Sequence, residues 1–338
     1  MADLSDFTSL HVGGPARDFV EVATEAEIIA ALEAAGDSPI LIIGGGTNML
    51  ISDSGFAGTV IRISNNQVKE EIDACSGATL TIGAGENWDE FVASTIERGF
   101  AGMETLSGIP GTVGAAPIQN IGAYGHEVGE FITRVRTYDR QKKELKTFTN
   151  SECNFSYRNS IFKTEPGRYV VLDVAFQIRR GEMSEPITYA ELATKLGIEI
   201  GERAPVKKVR ETVLELRGAK GMLLSPTDKD SWSAGSFFTN PIVSQLIADQ
   251  LPADAPRWPT SDGQVKTSAA WLIQQSGIEK GQMHGGAKVS TKHVLALTNS
   301  GNATAAEITE LAKIASAAVK AKFGIELQPE VNLVGITW

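Results

Sequence analysis

From residue 105 to residue 125 the chain carries no Asp, Glu, Lys or Arg, in a protein where 21% of residues are charged. The stretch, TLSGIPGTVGAAPIQNIGAYG, holds five glycines and two prolines. Proline interrupts helix interiors and central strands alike, and glycine weakens both, so neither a stable helix nor a regular strand fits here. Two readings are open: a buried structural loop, or a wall pressed against a large flat ligand. Long irregular loops are uncommon in compact domains and usually functional, and small uncharged residues let backbone approach a ligand face. Glycine content points the same way, since 34 in 338 residues is about a tenth of the chain against a usual ~7%.

The sequence before this stretch alternates helices and strands. Thr24-Glu25-Ala26-Glu27 is a capping box, followed by Ile28, Ile29, Leu32 and Ala35 on one helical face and closed by Gly36. Residues 39–43 predict a short buried strand, 59–63 and 79–83 two more, and Asn87-Trp88-Asp89-Glu90 a capped helix ending at Gly99. Further on, strands are expected over 131–139 and 169–178, the second with Leu172, Val174, Phe176 and Ile178 on one face. Val206, Val209, Val213 and Leu216 recur at helical spacing, Thr304-Ala305-Ala306-Glu307 caps a helix to Phe323 and Gly324, and 327–334 reads as extended. That order is α+β or α/β.

Composition removes several function classes. A formal net charge of -10 disfavours nucleic-acid and anionic-membrane roles, although a local basic element at Lys207, Lys208, Arg210, Arg217 and Lys220 can still serve an anionic small molecule. The plain alternative for that element is a solvated helix face. Two cysteines, Cys75 and Cys153, and four scattered histidines make neither a disulfide scaffold nor a metal-ligand spacing, so no metal is expected and the thiols are expected to be buried and inert. No apolar run reaches membrane-spanning length and residues 1–12 lack the pattern of a leader, which sets the expectation of a cytoplasmic protein without membrane insertion; a monomer is expected, though no sequence feature fixes the oligomeric state.

Individual motifs are weak alone. Gly44-Gly45-Gly46-Thr47-Asn48 follows a strand, where amides can converge on an anion, yet the dinucleotide pattern would need glycine at Met49 and the P-loop a Gly-Lys pair. A tight turn and a pyrophosphate cradle outside both familiar folds stay open. Ser236 in Gly235-Ser236-Phe237-Phe238 lacks the flanking glycine of a hydrolase elbow. It is either a strand end or a buried proton donor, and Glu330, between Pro329 and Val331, is either an edge carboxylate or a buried acid.

Seven ordered segments, spread over nearly the whole chain, resemble the UDP-N-acetylmuramate dehydrogenases, also called UDP-N-acetylenolpyruvoylglucosamine reductases. They are Thr8-Ser9-Leu10-His11-Val12-Gly13-Gly14-Pro15-Ala16, Gly44-Gly45-Gly46-Thr47-Asn48-Met49-Leu50, Gly108-Ile109-Pro110-Gly111-Thr112-Val113-Gly114-Ala115, Gln119-Asn120-Ile121-Gly122-Ala123-Tyr124-Gly125, Tyr157-Arg158-Asn159-Ser160-Ile161-Phe162, Gly235-Ser236-Phe237-Phe238-Thr239-Asn240-Pro241 and Leu327-Gln328-Pro329-Glu330-Val331. The resemblance implies an α+β protein with a two-subdomain FAD-binding fold of the vanillyl-alcohol-oxidase type and a C-terminal α+β substrate-binding domain. The corresponding division is 1–65, then 66–217 joined by 326–338, with 218–325 as the substrate domain.

It further implies non-covalent FAD, its pyrophosphate on the amides of Gly44, Gly45, Gly46, Thr47, Asn48, Met49 and Leu50. Ile109, Thr112, Gly114, Ile121 and Gly122 would wall the flavin, with Arg217 close to it. The implied reaction reduces the enolpyruvyl ether of UDP-N-acetylglucosamine with NADPH, the UDP-sugar and NADPH using one site in turn. Arg158 and Glu330 would stabilise the enolate and Ser236 protonate it. Tyr189, as the mobile-loop tyrosine of the longer type of this family, would hold substrate with Lys220, Asn240, Tyr124, Gln119 and His293. Asn332 departs from relatives that carry arginine there, and residues 221–233 are longer than in some relatives. Two rivals remain: a vanillyl-alcohol-oxidase-fold flavoenzyme acting on a different alcohol or sugar, and a sugar-nucleotide-binding protein that has lost redox chemistry.

Overall fold

Strand Tyr169–Arg180 is central to a six-stranded sheet in the computed structural model, which describes residues 2–73 and 77–338. Strand Ile132–Asp139 pairs with it on one side, Val135 opposite Val174, and strand Gly77–Gly83 on the other, Ile82 opposite Val174. Glu144–Thr149 and Val68–Asp73 form the edges, and Phe100–Ala101 pairs with Arg179 and Arg180. All of these pairings are antiparallel. Alternation predicted one buried face; instead residues 169–176 are all buried, because a central strand is covered on both sides. Helix Trp88–Glu97, capped by Asn87, provides part of that cover: Trp88 and Phe91 meet Phe176 at ring centroid distances of 6.0 and 5.1 Å.

A second, three-stranded sheet has the order Ala16–Val22, Phe56–Ile63, Ile40–Ile43, with the last two parallel. The strand at 40–43 is an edge, so only Ile43 is fully buried where a buried strand was predicted. Helix Glu25–Ala34 follows the first strand with both halves of the Thr24/Glu27 capping box formed. Helix Val206–Ala219 buries Val209 and Val213 against Ile187, Leu192 and Tyr124. Cys153 is buried, and burial pushes its thiol up to about 12, away from reactivity; Cys75 lies outside the described residues.

Packing groups residues 16–45 and 57–219 into one unit and residues 2–15, 46–56 and 220–338 into a second. The second is built on an antiparallel sheet in the order Ser233–Ser236, Ala296–Asn299, Ala287–Val289, Met283–His284. Helix Ala305–Phe323 covers it with Ile308, Leu311, Ala312, Ala315 and Val319 buried, starts at the expected capping box and ends at Gly324 with φ +69°. A smaller sheet joins Ile242–Val243, Val265–Thr267 and Arg257–Pro259. Strand Asn332–Val334 runs parallel to Met49–Ile51, and Leu10, Val12 and Leu50 share the core of this unit with Phe237 and Phe238. Helices and mostly antiparallel sheets in each unit make the protein α+β. Among the described residues no helix is long and apolar enough to cross a membrane.

Candidate active site

Residues 105–125 form single 3-10 turns at Glu104–Leu106 and Val113–Ala115, a two-residue strand at Gly122–Ala123, and otherwise irregular chain. Backbone groups of the preceding loop hold it. Val113 N donates to Glu86 O (2.9 Å), Gly114 N to Ala84 O (2.8 Å), and Trp88 N to Gly111 O (3.1 Å). The approach is so close that a Cβ on Gly114 would sit 2.4 Å from Ala84 Cβ. Likewise a Cβ on Gly44 would meet Thr112 Oγ1 at 2.3 Å, which brings Gly44 against the charge-free loop. Ile109, Thr112, Ile121 and Gly122 are half-buried and Gly114 is buried.

Two side chains outside the loop bond to the peptide groups of Gly108. Asp89 Oδ1 accepts from Gly108 N at 2.6 Å, and its two oxygens take both guanidinium nitrogens of Arg210 at 2.6 and 2.9 Å. Burial opposes the Asp89 charge, but Arg210 and the Gly108 amide outweigh it and hold the carboxyl below its ordinary value. From the other side Arg217 Nε donates to Gly108 O at 3.0 Å. Arg217 is 9% exposed, and burial pulls its guanidinium down from the usual range, with Tyr124 and Asp89 opposing. Tyr124 is buried beside Tyr189, edge to face at 5.4 Å; burial pushes its phenol up to about 12. Tyr189 is 43% exposed.

Arg158 lies on a tight turn in which Ser156 and Asn159 exchange backbone hydrogen bonds. Its own φ is +52°, uncommon for a residue with a Cβ. Its Nη2 donates to Gly122 O at 2.9 Å, and Lys163 Nζ donates to the Arg158 carbonyl at 2.9 Å. Asn120 and Tyr124 are also left-handed, at φ +47° and +49°. Strained backbone collects where a surrounding structure over-determines it, commonly at functional sites. Gln119, beside Asn120, is half-buried.

In the second unit the turn after residue 45 requires Gly46, at φ +60°, because a Cβ there would meet Phe7 O at 1.8 Å. Asn332 donates both its backbone N and its Nδ2 to Asn48 O at 3.1 Å, so the residue that departs from some relatives ties the end strand to the Gly44–Leu50 turn. Ser236 and Glu330 lie on adjoining extended segments: Glu330 N donates to Phe237 O at 2.8 Å, and both residues are half-buried. Asn240 Oδ1 accepts from Ala269 N at 3.0 Å at the start of helix Ala269–Gln275. Lys220, the first residue after helix Val206–Ala219, is half-buried.

His293 is placed by Ser290, whose Oγ accepts its backbone N at 3.2 Å. The unassigned segment 221–233 has a definite anchor. Asp230, 7% exposed, accepts from Ser290 Oγ (2.8 Å), Thr291 N (3.2 Å), Thr291 Oγ1 (3.0 Å) and Lys288 Nζ (2.8 Å). Burial opposes its charge, yet Lys288, Ser290 and Thr291 hold the carboxyl down at about 2.

The arrangement suits a flat, uncharged ring system with a phosphate tail. A half-buried wall without charges, a glycine turn packed on Thr112, and Gly44 and Gly45 amides that no acceptor takes among the described residues fit a flavin dinucleotide. No cluster of metal-ligating side chains occurs among the described residues. Sequence reasoning named Asp89 only as part of a helix start and Arg210 only within a basic element, and it passed over Asp230 and the side chain of Asn120. Only Asn120 carried a readable signal, since asparagine tolerates the left-handed region.

Comparison with known proteins matches residues 16–147 to an FAD binding domain and residues 225–334 to a UDP-N-acetylenolpyruvoylglucosamine reductase C-terminal domain. The chain is 52% identical to the UDP-N-acetylenolpyruvoylglucosamine reductase of Cutibacterium acnes, covering 99% of this chain and 89% of that protein. It is 49% identical to that of Streptomyces avermitilis, covering 99% and 94%. In fold it is similar to the UDP-N-acetylenolpyruvylglucosamine reductase of Thermus caldophilus, with a TM-score of 0.68 and 24% identity over 98% of this chain and 97% of the other.

Proposed function

The chain belongs to the UDP-N-acetylenolpyruvoylglucosamine reductase family, and from that premise we propose that it reduces the enolpyruvyl ether of UDP-N-acetylglucosamine to UDP-N-acetylmuramate, using NADPH. It is an FAD-dependent oxidoreductase of peptidoglycan precursor synthesis. Bound FAD would supply hydride transfer between NADPH and the vinyl carbon distal to the ether oxygen. The turn from Gly44 to Leu50 would hold the pyrophosphate, and Ile109, Thr112, Gly114, Ile121 and Gly122 would wall the flavin, with Arg217 beside it.

Negative charge then develops on the substrate at the carbon next to the ether oxygen and on its carboxylate. Arg158 answers that charge with a planar, permanently ionised donor whose position is fixed beforehand, so little reorganisation is needed. Glu330 assists by hydrogen bonding, and Ser236 Oγ gives its proton to the carbon; a hydroxyl suffices because an enolate is a strong base. Tyr189, Lys220, Asn240, Tyr124, Gln119 and His293 hold the UDP-sugar, and NADPH uses the same site in turn. The observation that supports this most is Arg158 itself, a cationic fork on a left-handed turn bonded to the flavin-wall residue Gly122.

An anaerobic titration tests the reading. The flavin absorbance should bleach with NADPH and return when the enolpyruvyl substrate is added. Arg158→Lys should bleach normally and recover slowly, about 100-fold down. Ser236→Ala should show the same split. Bleaching without recovery in the unaltered protein would remove the substrate assignment, and near-normal turnover of Arg158→Lys would remove Arg158 from the mechanism.

A further inference from the structure

Three hydrogen bonds staple the turn that carries Arg158 to alternate residues of the charge-free loop. Ser160 Oγ donates to Ile118 O (2.5 Å), Asn120 Nδ2 to Ser156 O (3.1 Å), and Arg158 Nη2 to Gly122 O (2.9 Å). The central one differs from its neighbours. Asn120 is 1% exposed and uses every hydrogen-bonding position of its carboxamide except one lone pair. Its Nδ2 bridges Ser156 O and Glu127 Oε2 (2.6 Å), and its Oδ1 accepts from Gly129 N (2.9 Å). One side chain thus joins the loop, the hairpin strand His126–Glu127 and the Arg158 turn. The residue holds a left-handed φ of +47° to do so.

We propose that Asn120 is a positioning residue for Arg158: its carboxamide fixes the Ser156–Asn159 turn against the loop and thereby sets where the guanidinium meets the substrate carboxylate. The inference rests on the Arg158 reading above. No other side chain of similar shape fills the position. An aspartate would keep the acceptor for Gly129 N but set carboxylate oxygens against Glu127 and the Ser156 carbonyl. Leucine would fit the volume but supply neither the two donors nor the acceptor, so Gly129 N would lose its partner and both the Ser156 carbonyl and Glu127 would lose a hydrogen bond.

The test is a double-mutant cycle on the FAD-loaded enzyme, read in both half-reactions. Asn120→Asp should slow reoxidation of the reduced flavin by the enolpyruvyl substrate by about 10- to 100-fold, with flavin reduction by NADPH within about twofold of normal. In an Arg158→Lys background the same change should cost less than about twofold, since it acts only through Arg158. Asn120→Asp combined with Glu127→Gln restores one donor–acceptor contact with its polarity reversed and should recover part of the loss. Its FAD content and denaturation midpoint check that the fold is kept. Additive losses, or equal slowing of both half-reactions, would overturn the inference, as would a normal rate for Asn120→Asp where Arg158→Lys is slow. Normal rates for both would instead remove the Arg158 reading on which it rests.

Discussion

Residues 105–125 and residues 221–233 are both irregular chain, and they are held in opposite ways. The first carries no charge and is fixed through peptide groups: amides and carbonyls of 84–88 on one side, Asp89 and Arg217 on Gly108 on another. Glycines at 44 and 114 allow contacts that a single Cβ would forbid. The second is pinned by side chains. Asp230 gathers Lys288, Ser290 and Thr291, and Asp228 pairs with Lys292 at 2.6 Å while capping the turn Lys229–Ser231. On the proposed reading the first lies against a flat neutral ring and gains from having no charges to desolvate. A segment that only orients neighbouring side chains can use the stronger, charge-assisted bonds.

That contrast can be broken experimentally. Asp230→Ala has the largest expected effect, since it leaves Lys288 and two hydroxyls facing a buried gap: a loss of about 3 kcal/mol in denaturant unfolding. Hydrogen exchange should accelerate at the Ser231 and Thr291 amides and stay unchanged in 105–125; acceleration in both would mean the two segments are not separately held. Gly114→Ala should cost about 2 kcal/mol through overpacking against Ala84 and spare the Asp230 cluster.

Acid separates the two further. The Asp230 carboxyl is held at about 2 against an ordinary 3.8, so its contribution is full above 3.8 and disappears as pH falls through 2, at most about 2 kcal/mol. Protection around Thr291 should therefore fade below pH 4 while that of Val113 and Gly114 persists. Glu104, buried just before the charge-free stretch, has the opposite sign: burial raises its carboxyl, so its charge weakens the fold above its unfolded value and acid relieves it. Glu104→Gln keeps the acceptor for Gly102 N and should raise stability at pH 7 by about 1 kcal/mol. That is the smallest change of the set, and a loss would show that the carboxylate is held by partners rather than tolerated.

What could be read beforehand was local. Capping boxes at Thr24 and Thr304 name their helices because donor and acceptor lie three residues apart. The absence of charge over 105–125 marks a special surface without any partner being known. What could not be read depends on distance along the chain. Asp230 sits in a stretch that looks like an ordinary polar loop, and its meaning lies 60 residues on, at Ser290. Asn120 joins Ser156 36 residues away. The both-sided burial of residues 169–176 depends on elements packed on the strand's faces from earlier in the chain, among them helix Trp88–Glu97.

Strand Met49–Ile51 takes Asn332–Val334 as its parallel partner, and Asp53 caps helix Ala305–Phe323 by accepting from the Ala305 and Ala306 amides at 2.8 and 3.1 Å. During synthesis those partners arrive about 250–280 positions late, which at ribosomal speeds is a wait of roughly 13–55 s. Leu10, Leu50 and Ile51, all fully buried in the finished protein, spend that interval without their cover. A nascent chain of this kind is a natural client for chaperones that shield apolar segments, and slowing translation lengthens its exposure. The turn from Gly44 to Leu50, which the proposed reading gives to the cofactor pyrophosphate, therefore gains its Asn332 partner only when the end of the chain has been made.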